Sequence, residues 1–327
     1  MKYKKLGNTG LDVSSICLGC MGFGDKSGIH SWVLEENESR KVIKHALDSG
    51  INFFDTANAY SAGISEKILG RALKDFANRE DIVVASKVFF NRGDAEGPNR
   101  MGLSRKVILS EIDKTLKNLD LEYLDLYIIH RWDYGTPIEE VMKTLHDLVQ
   151  SGKVRYIGAS AMYGWQFQKA QNIAEKNGWT KFISMQNHYN MIYREDEREL
   201  IPYCKDSGVS LTPYSPLAAG RLTRDWNAET DRYKSDVVAR SKYDSTEEQD
   251  REIVRRVAEV ADKKGLKPVH IALAWLLAKD YVAAPIVGAT KLSHIDDAVA
   301  ALDVELSAEE IKYLEEPYVP HKIVGAL

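Results

Sequence analysis

What most limits the fold of this chain is an alternation that runs along nearly its whole length. A short apolar run gives way to a segment with helical spacing, eight times over. The runs are 15–24, 52–57, 82–87, 124–130, 154–160, 182–187, 209–216 and 283–289. They are apolar without clean alternation, as strands buried on both faces by parallel neighbours require. Helical patterns occupy 36–50, 65–76, 104–119, 136–152, 164–177 and 195–207, then the regions near 248–264, 268–279, 293–301 and 307–316. Ser104 is placed to cap its helix, Pro137 stands at an expected first helical position, and Gly50 and Gly152 are stop signals. Ahead of the first run, residues 3–6 and 11–15 flank the turn Gly7-Asn8-Thr9-Gly10 and predict a β-hairpin. Eight strand–helix units predict an α/β fold, a closed (β/α)8 TIM barrel with an N-terminal β-hairpin, as one domain over 1–327. An open doubly wound sheet is the runner-up. It is disfavoured because no G-x-G-x-x-G follows the first strand and no acidic residue closes such a unit.

Composition narrows the partners. A formal net charge of −4 argues against a dedicated nucleic-acid or anionic-membrane binder. No apolar run approaches the ~18 residues of a membrane span. Residues 1–7 carry lysines but lead into polar turn residues, unlike a secretory signal, so a cytoplasmic location is expected. The three cysteines fit a reducing compartment. Cys17 and Cys20 have C-x-x-C spacing, open to a redox or metal reading. They lie inside an apolar strand that points their side chains apart, and no second Cys/His cluster follows, so packed thiols and no metal are expected.

In such a barrel the chemistry gathers at the carboxyl ends of the strands. Reading those ends in order gives Asp55, Lys87, His130, Ser160, Gln186, Tyr214 with Ser215, and Gly288. Tyr60 follows Asp55 in a loop of small residues. Each has an ordinary reading: Asp55 as a turn former, Lys87 with its head in solvent, His130 bonded to a carbonyl, Tyr60 on the surface. Taken together, consecutive strands that end in hydrogen-bonding groups put those groups on one rim. A phenol ordinarily titrates near 10. A neighbouring Lys87 would lower that value, and Asp55 would keep the lysine charged. Tyr60 and His130 could then polarise a carbonyl and protonate the alkoxide formed as a hydride arrives.

The segments KLGNTGLDVSSICLGCMGFG (5–24), DTANAY, ASK, YIIHRWD, GASAM, SMQNHYN, PYSPLAAGRL and VGATKLSHIDDAVAAL (287–302) together resemble the aldo-keto reductase family over nearly the whole chain. IHRWDYGTPIEE (129–140) and PYVPHKIVG (317–325) are similar to its bacterial and fungal aldehyde and aryl-alcohol reductases. The resemblance implies a catalytic set of Asp55, Tyr60, Lys87 and His130, with Tyr60 the proton donor and NADPH/NADP+ the cofactor. It implies that Ser160 and Gln186 hold the nicotinamide carboxamide and that Tyr214 stacks on the ring. Ser215, Leu217, Gly220, Arg221 and Leu222 would lie under the pyrophosphate. Gly288, Thr290, Lys291 and His294 would meet the adenosine phosphate, with Asp297 near the adenine. Three positions depart from the family pattern. Ala161 and Ala298 stand where many relatives have Asn, and His294 where many have Arg, so the preference for NADPH rests mainly on Lys291.

The expected activity is NADPH-dependent reduction of aldehydes and ketones to alcohols. Trp32, Phe89, Phe90, Arg131 and Trp132 are expected at the pocket mouth and favour aromatic or medium apolar aldehydes. Arg131 leaves two readings open: inward, it would favour a carboxylated or phosphorylated carbonyl compound; outward, it would serve an ion pair. The alternative function is a regulatory cofactor-binding subunit on the same scaffold, against which the chain is expected to begin directly at the hairpin. A Schiff-base lyase using Lys87 is disfavoured, because a lysine held protonated by Asp55 is a poor nucleophile. The loop at 218–249 is open between a fold over the cofactor and a surface excursion. Monomer and homo-oligomer are not distinguished by sequence.

Overall fold

The computed structural model describes residues 1–26, 31–93, 96–224 and 236–326. Strands β1 (Tyr3–Lys5) and β2 (Asp12–Ser14) form the antiparallel hairpin. Then come β3 (Cys17–Gly19), β4 (Phe53–Asp55), β5 (Val83–Val88), β6 (Leu124–Ile129), β7 (Val154–Ser160), β8 (Ser184–Gln186), β9 (Ser210–Leu211) and β10 (Ile286–Gly288). These eight are parallel neighbours in the order β10-β3-β4-β5-β6-β7-β8-β9. The two ends of that order meet: Leu211 N donates to Tyr281 O, Ala283 N to Leu211 O and Ile286 N to Pro213 O. The expected barrel is therefore the observed one.

Side-chain parity explains why the sequence closes this way. Alternate residues of a strand face opposite sides. Phe53, Val83, Ala85, Leu126 and Ile128 pack in one cluster inside the barrel, together with Leu6 and Val13 of the hairpin. Their neighbours Phe54, Val84, Tyr127 and Ile129 pack outward in the larger cluster shared with the helices. Counting on by twos, Asp55, Lys87 and His130 continue the inward rows of β4, β5 and β6. The hairpin plugs the opposite end, where Lys4 Nζ donates to Val282 O and Gly7 N to Ser210 Oγ.

Around the sheet lie α1 (Glu36–Asp48), α2 (Ile64–Phe76), α3 (Arg105–Leu119), α4 (Ile138–Gln150), α5 (Gly164–Lys176) and α6 (Leu200–Asp206). They are followed by α7 (Val237–Tyr243), α8 (Glu247–Lys264), α9 (Pro268–Leu277), α10 (Leu292–Ala300) and α11 (Ala308–Glu315). Ser104 caps α3 as expected, its side chain accepting from Val107 N. Pro137 sits one position earlier than expected, as the capping residue of α4. The helix expected over 195–207 is split into a 3-10 turn, Glu195–Arg198, and α6. Pro202 is the reason. Its ring opposes the carbonyl four residues back, and only in a first turn is its missing N–H harmless. Part of the long 218–249 loop is helical: α7 starts at Asp236, whose carboxylate accepts from Ala239 N. Residues 225–235 of that loop lie outside the described residues. Cys17 packs inside the barrel and Cys20 outside it, both as buried free thiols held well above their ordinary pKa by burial.

Candidate active site

Lys87 is the centre of the rim. It has no exposed surface, and its three N–H groups are all used. Nζ donates to Asp55 Oδ1 at 2.5 Å, to Thr56 O at 2.8 Å and to the Tyr60 hydroxyl at 3.2 Å. Burial alone would lower the lysine's pKa, but the charge of Asp55 and its contact with Tyr60 outweigh that and hold it above its ordinary value. The other carboxylate oxygen, Asp55 Oδ2, accepts from Gln186 Nε2 at 2.9 Å.

Tyr60 departs from expectation in one respect. Its side chain is partly exposed, yet the protein crowding its hydroxyl raises the phenol above its ordinary pKa. Lys87 pulls the other way, as the sequence implied, but the pull is smaller than the desolvation. The net shift is therefore upward. His130 lies edge-on to Tyr60 with ring centroids 5.9 Å apart. Burial, then the charges of Lys87, Arg131 and Lys242, push its pKa well below the ordinary range, so its imidazole is neutral. Its Nδ1 is buried without a hydrogen-bond partner among the described residues.

A buried ionic network, unread in the sequence, fixes the loop that carries Tyr60. Ser61, Ala62 and Gly63 all have left-handed backbone, costly for the first two. Behind them Asn58 Nδ2 donates to Glu111 Oε2 at 2.8 Å and to Phe90 O at 3.2 Å. Arg92 joins Glu111 to Glu66. Glu66, with no exposed surface, also accepts from Ser86, Thr115 and Asn118. The signal available was a charged residue on the apolar face of a helix, Glu66 in line with Leu69 and Leu73.

The groups expected to hold a cofactor form an arc beside this cluster. Ser160 is buried at the end of β7 and pairs in register with Gln186. Tyr214 heads a stack of rings, with His188 at 5.2 Å and 9° and Tyr193 beyond it at 4.1 Å and 15°. Ser215, Ala218, Ala219 and Gly220 all have positive φ. Such a turn gathers successive N–H groups as an anion-binding nest does. Leu217 packs at the core edge and Leu222 inside it. Arg221 is buried and paired with Asp244 at 2.6 Å. Gly288 and Lys291 are exposed, and Thr290 N donates to His294 Nδ1 at 3.3 Å. Asp297 is engaged elsewhere, by Lys267 at 2.7 Å and His270 at 3.2 Å.

Among the aromatic residues expected at the mouth, Phe90 touches the cluster, 5.0 Å from the His130 ring. Phe89 contacts Phe90 and packs against the outer core. Trp132 pairs with Trp165 at 6.0 Å, and Trp32 covers Gly22. Arg131 turns inward, its Cζ 5.7 Å from the Phe90 ring and Nη1 donating to His130 O. Sequence reasoning missed Lys242, whose Nζ donates to the Tyr214 hydroxyl at 3.1 Å. No helix among the described residues is long and apolar enough to cross a membrane.

Comparison with known proteins identifies the family. The model of the "Aldo/keto reductase family" matches residues 15–318. A versiconal hemiacetal acetate reductase of Aspergillus parasiticus is 47% identical, with 99% of this chain and 98% of that protein aligned. A Schizosaccharomyces pombe protein named "Putative aryl-alcohol dehydrogenase" is 47% identical over the same shares of the two chains. An aldo-keto reductase of Fusarium vanettenii is 41% identical, over 99% of this chain and 92% of its own. Matches of that extent and identity lead to one assignment: the chain belongs to the aldo/keto reductase family of oxidoreductases.

Proposed function

We propose that the protein reduces aldehydes and ketones to alcohols with NADPH, and that Tyr60 Oη gives the proton to the substrate oxygen. The observation that carries this reading is the buried Lys87 ammonium, bonded at once to Asp55 and to the Tyr60 hydroxyl. A phenol raised by its surroundings keeps its proton at neutral pH, and the adjacent ammonium stabilises the phenolate left after transfer. A neutral His130 can donate one N–H to the same substrate oxygen and orient the carbonyl. Lys87, held protonated by Asp55, acts on the tyrosine rather than as a nucleophile.

The residues present fit a dinucleotide. Gln186 gives its Nε2 hydrogen to Asp55 and so keeps its carbonyl oxygen for a carboxamide N–H, with Ser160 beside it. Tyr214 offers an aromatic ring, the positive-φ turn offers amides to a pyrophosphate, and exposed Lys291 suits a 2′-phosphate. When bound, NADPH supplies the hydride. The names of the relatives, a hemiacetal acetate reductase and an aryl-alcohol dehydrogenase, suit a carbonyl substrate with an aromatic body. The test is Tyr60→Phe. Reduction of an aromatic aldehyde followed at 340 nm should fall by ~10²–10⁴-fold. NADPH affinity, read by fluorescence, should stay within a few-fold. Substantial turnover by the variant would pass the donor role to another acid.

A further inference from the structure

Two cations converge on one phenol at the edge of this site, and the reductase reading gives neither of them a task. Helix α7 brings Lys242 back to the rim, where its Nζ bonds the Tyr214 hydroxyl at 3.1 Å and lies 4.5 Å from the ring centroid. Arg131, which follows His130 at the end of β6, is near enough for its charge to act on the same phenol and on Lys242. Its guanidinium flanks Phe90, and its charge reaches Tyr60 and His130. Among the described residues neither cation lies within ion-pairing distance of a carboxylate. Asp236, at the start of α7, acts on Lys242 only through its longer-range charge.

Two like charges facing each other in a half-buried place are unfavourable. Burial, and then the charge of Arg131, lower the Lys242 ammonium to about 8. A bound anion would remove it. A guanidinium fork suits a planar carboxylate in bidentate geometry, with the ammonium closing the third side.

We infer that Arg131 and Lys242 form an anion subsite of the substrate pocket. The preferred substrates are then aldehydes or ketones that carry a carboxylate or phosphate on the far side of an aromatic or short apolar body. The inference rests on the reductase reading. It joins both properties of the mouth: Phe90 for the body of the substrate, the cations for its far end. The cofactor's pyrophosphate is the other source of anionic oxygen. The substrate is favoured because Arg131 adjoins His130 and acts on Tyr60, whereas the turn suited to pyrophosphate follows Tyr214 at 215–220.

The experiment compares 4-carboxybenzaldehyde with its neutral methyl ester in the wild type, Arg131→Gln, Lys242→Met and Lys242→Arg. The quantity read is the ratio of the two kcat/KM values, in which intrinsic carbonyl reactivity cancels between variants. The ratio should fall at least tenfold in Arg131→Gln and Lys242→Met, mostly through KM, and should be largely restored in Lys242→Arg. In the wild type it should shrink as salt is raised. In parallel, benzoate is titrated into the NADP+-bound protein by fluorescence, and NADPH affinity is measured for each variant. Benzoate binding should weaken at least tenfold without Lys242. An unchanged ratio in both charge-removing variants overturns the inference. So does a tenfold loss of NADPH affinity with the ratio intact, which would assign the cations to the pyrophosphate. If the wild type reduces neither aldehyde but binds benzoate through Lys242, the anion subsite stands and the reductase reading falls.

Discussion

At the scale of single residues, the two groups nearest the proposed chemistry have moved in opposite directions. The Tyr60 phenol is raised and the His130 imidazole is lowered, so between pH 6 and 9 neither changes charge. With saturating NADPH and a saturating neutral aldehyde, which makes no use of Lys242, the rate of reduction should be flat across that range and decline only near or above the ordinary phenol value of about 10. A clear inflection between pH 6 and 8 would point to a different acid. Lys291 is exposed at the start of α10, where it is available to a phosphate. Lys291→Met should weaken NADPH binding about tenfold and leave NADH binding nearly unchanged, since a charge-assisted bond is lost only with the former. Equal wild-type affinities for the two cofactors would remove the basis for that. The positions of Asp55, Lys87, His130, Ser160 and Gln186 were legible because strand periodicity places them at the tips of the barrel strands. The sign of the Tyr60 shift was not legible, because it depends on how much protein crowds the hydroxyl. Lys242 was equally hidden, lying far along the chain in a segment without an apolar stripe.

At the scale of elements, packing distances replace periodicity as the deciding quantity. Gly70 in α2 lies against the end of α3, where an added Cβ would meet Leu119 O at 2.3 Å. Gly70→Ala should therefore destabilise the protein by ~1–3 kcal/mol, although alanine is the better helix former. Urea denaturation reads this directly, and an increase in stability would show that the two helices separate at little cost. The amphipathic helices were readable because each has a long apolar face. Helix α7 was not. VVARSKY has only seven residues, and of its described side chains it is Tyr243 that is buried. The Tyr243 hydroxyl bonds His188 Nε2 at 2.7 Å and Asn190 Nδ2 at 3.1 Å. No pattern of periods announces so short a helix held through the polar ends of its side chains.

At the scale of the whole molecule, the C-terminal tail is tied back across the helices. His321 bonds Asp250 at 2.8 Å through Nε2, and its backbone N–H donates to Glu195. Val324 N and Gly325 N both donate to the Tyr193 hydroxyl. Burial alone would lower the pKa of His321, but the bond and charge of Asp250 prevail and raise it. A raised folded-state pKa contributes stability that is complete below the unfolded value of about 6.5 and lost as pH climbs through the folded value. The difference in Tm between the wild type and His321→Gln should accordingly be largest near pH 5–6 and shrink toward pH 9. A difference that grows with pH would mean that the pair does not stabilise the tail.

The N-terminal hairpin has a consequence for synthesis. Two of its lysines are tied to residues far along the chain: Lys2 Nζ donates to Leu302 O and Lys4 Nζ to Val282 O. These bonds of the hairpin must therefore wait until residues 282 and 302 have been made. At ~5–20 residues per second the delay is on the order of tens of seconds. During it the apolar side chains of Leu6 and Val13, and the open edge of the growing sheet, have no native cover. A nascent chain halted before residue 282 should remain protease-sensitive and bound by chaperones throughout, with no protected N-terminal core. Until residues 282 and 302 are made, the hairpin lacks two of the bonds that hold it in the native barrel.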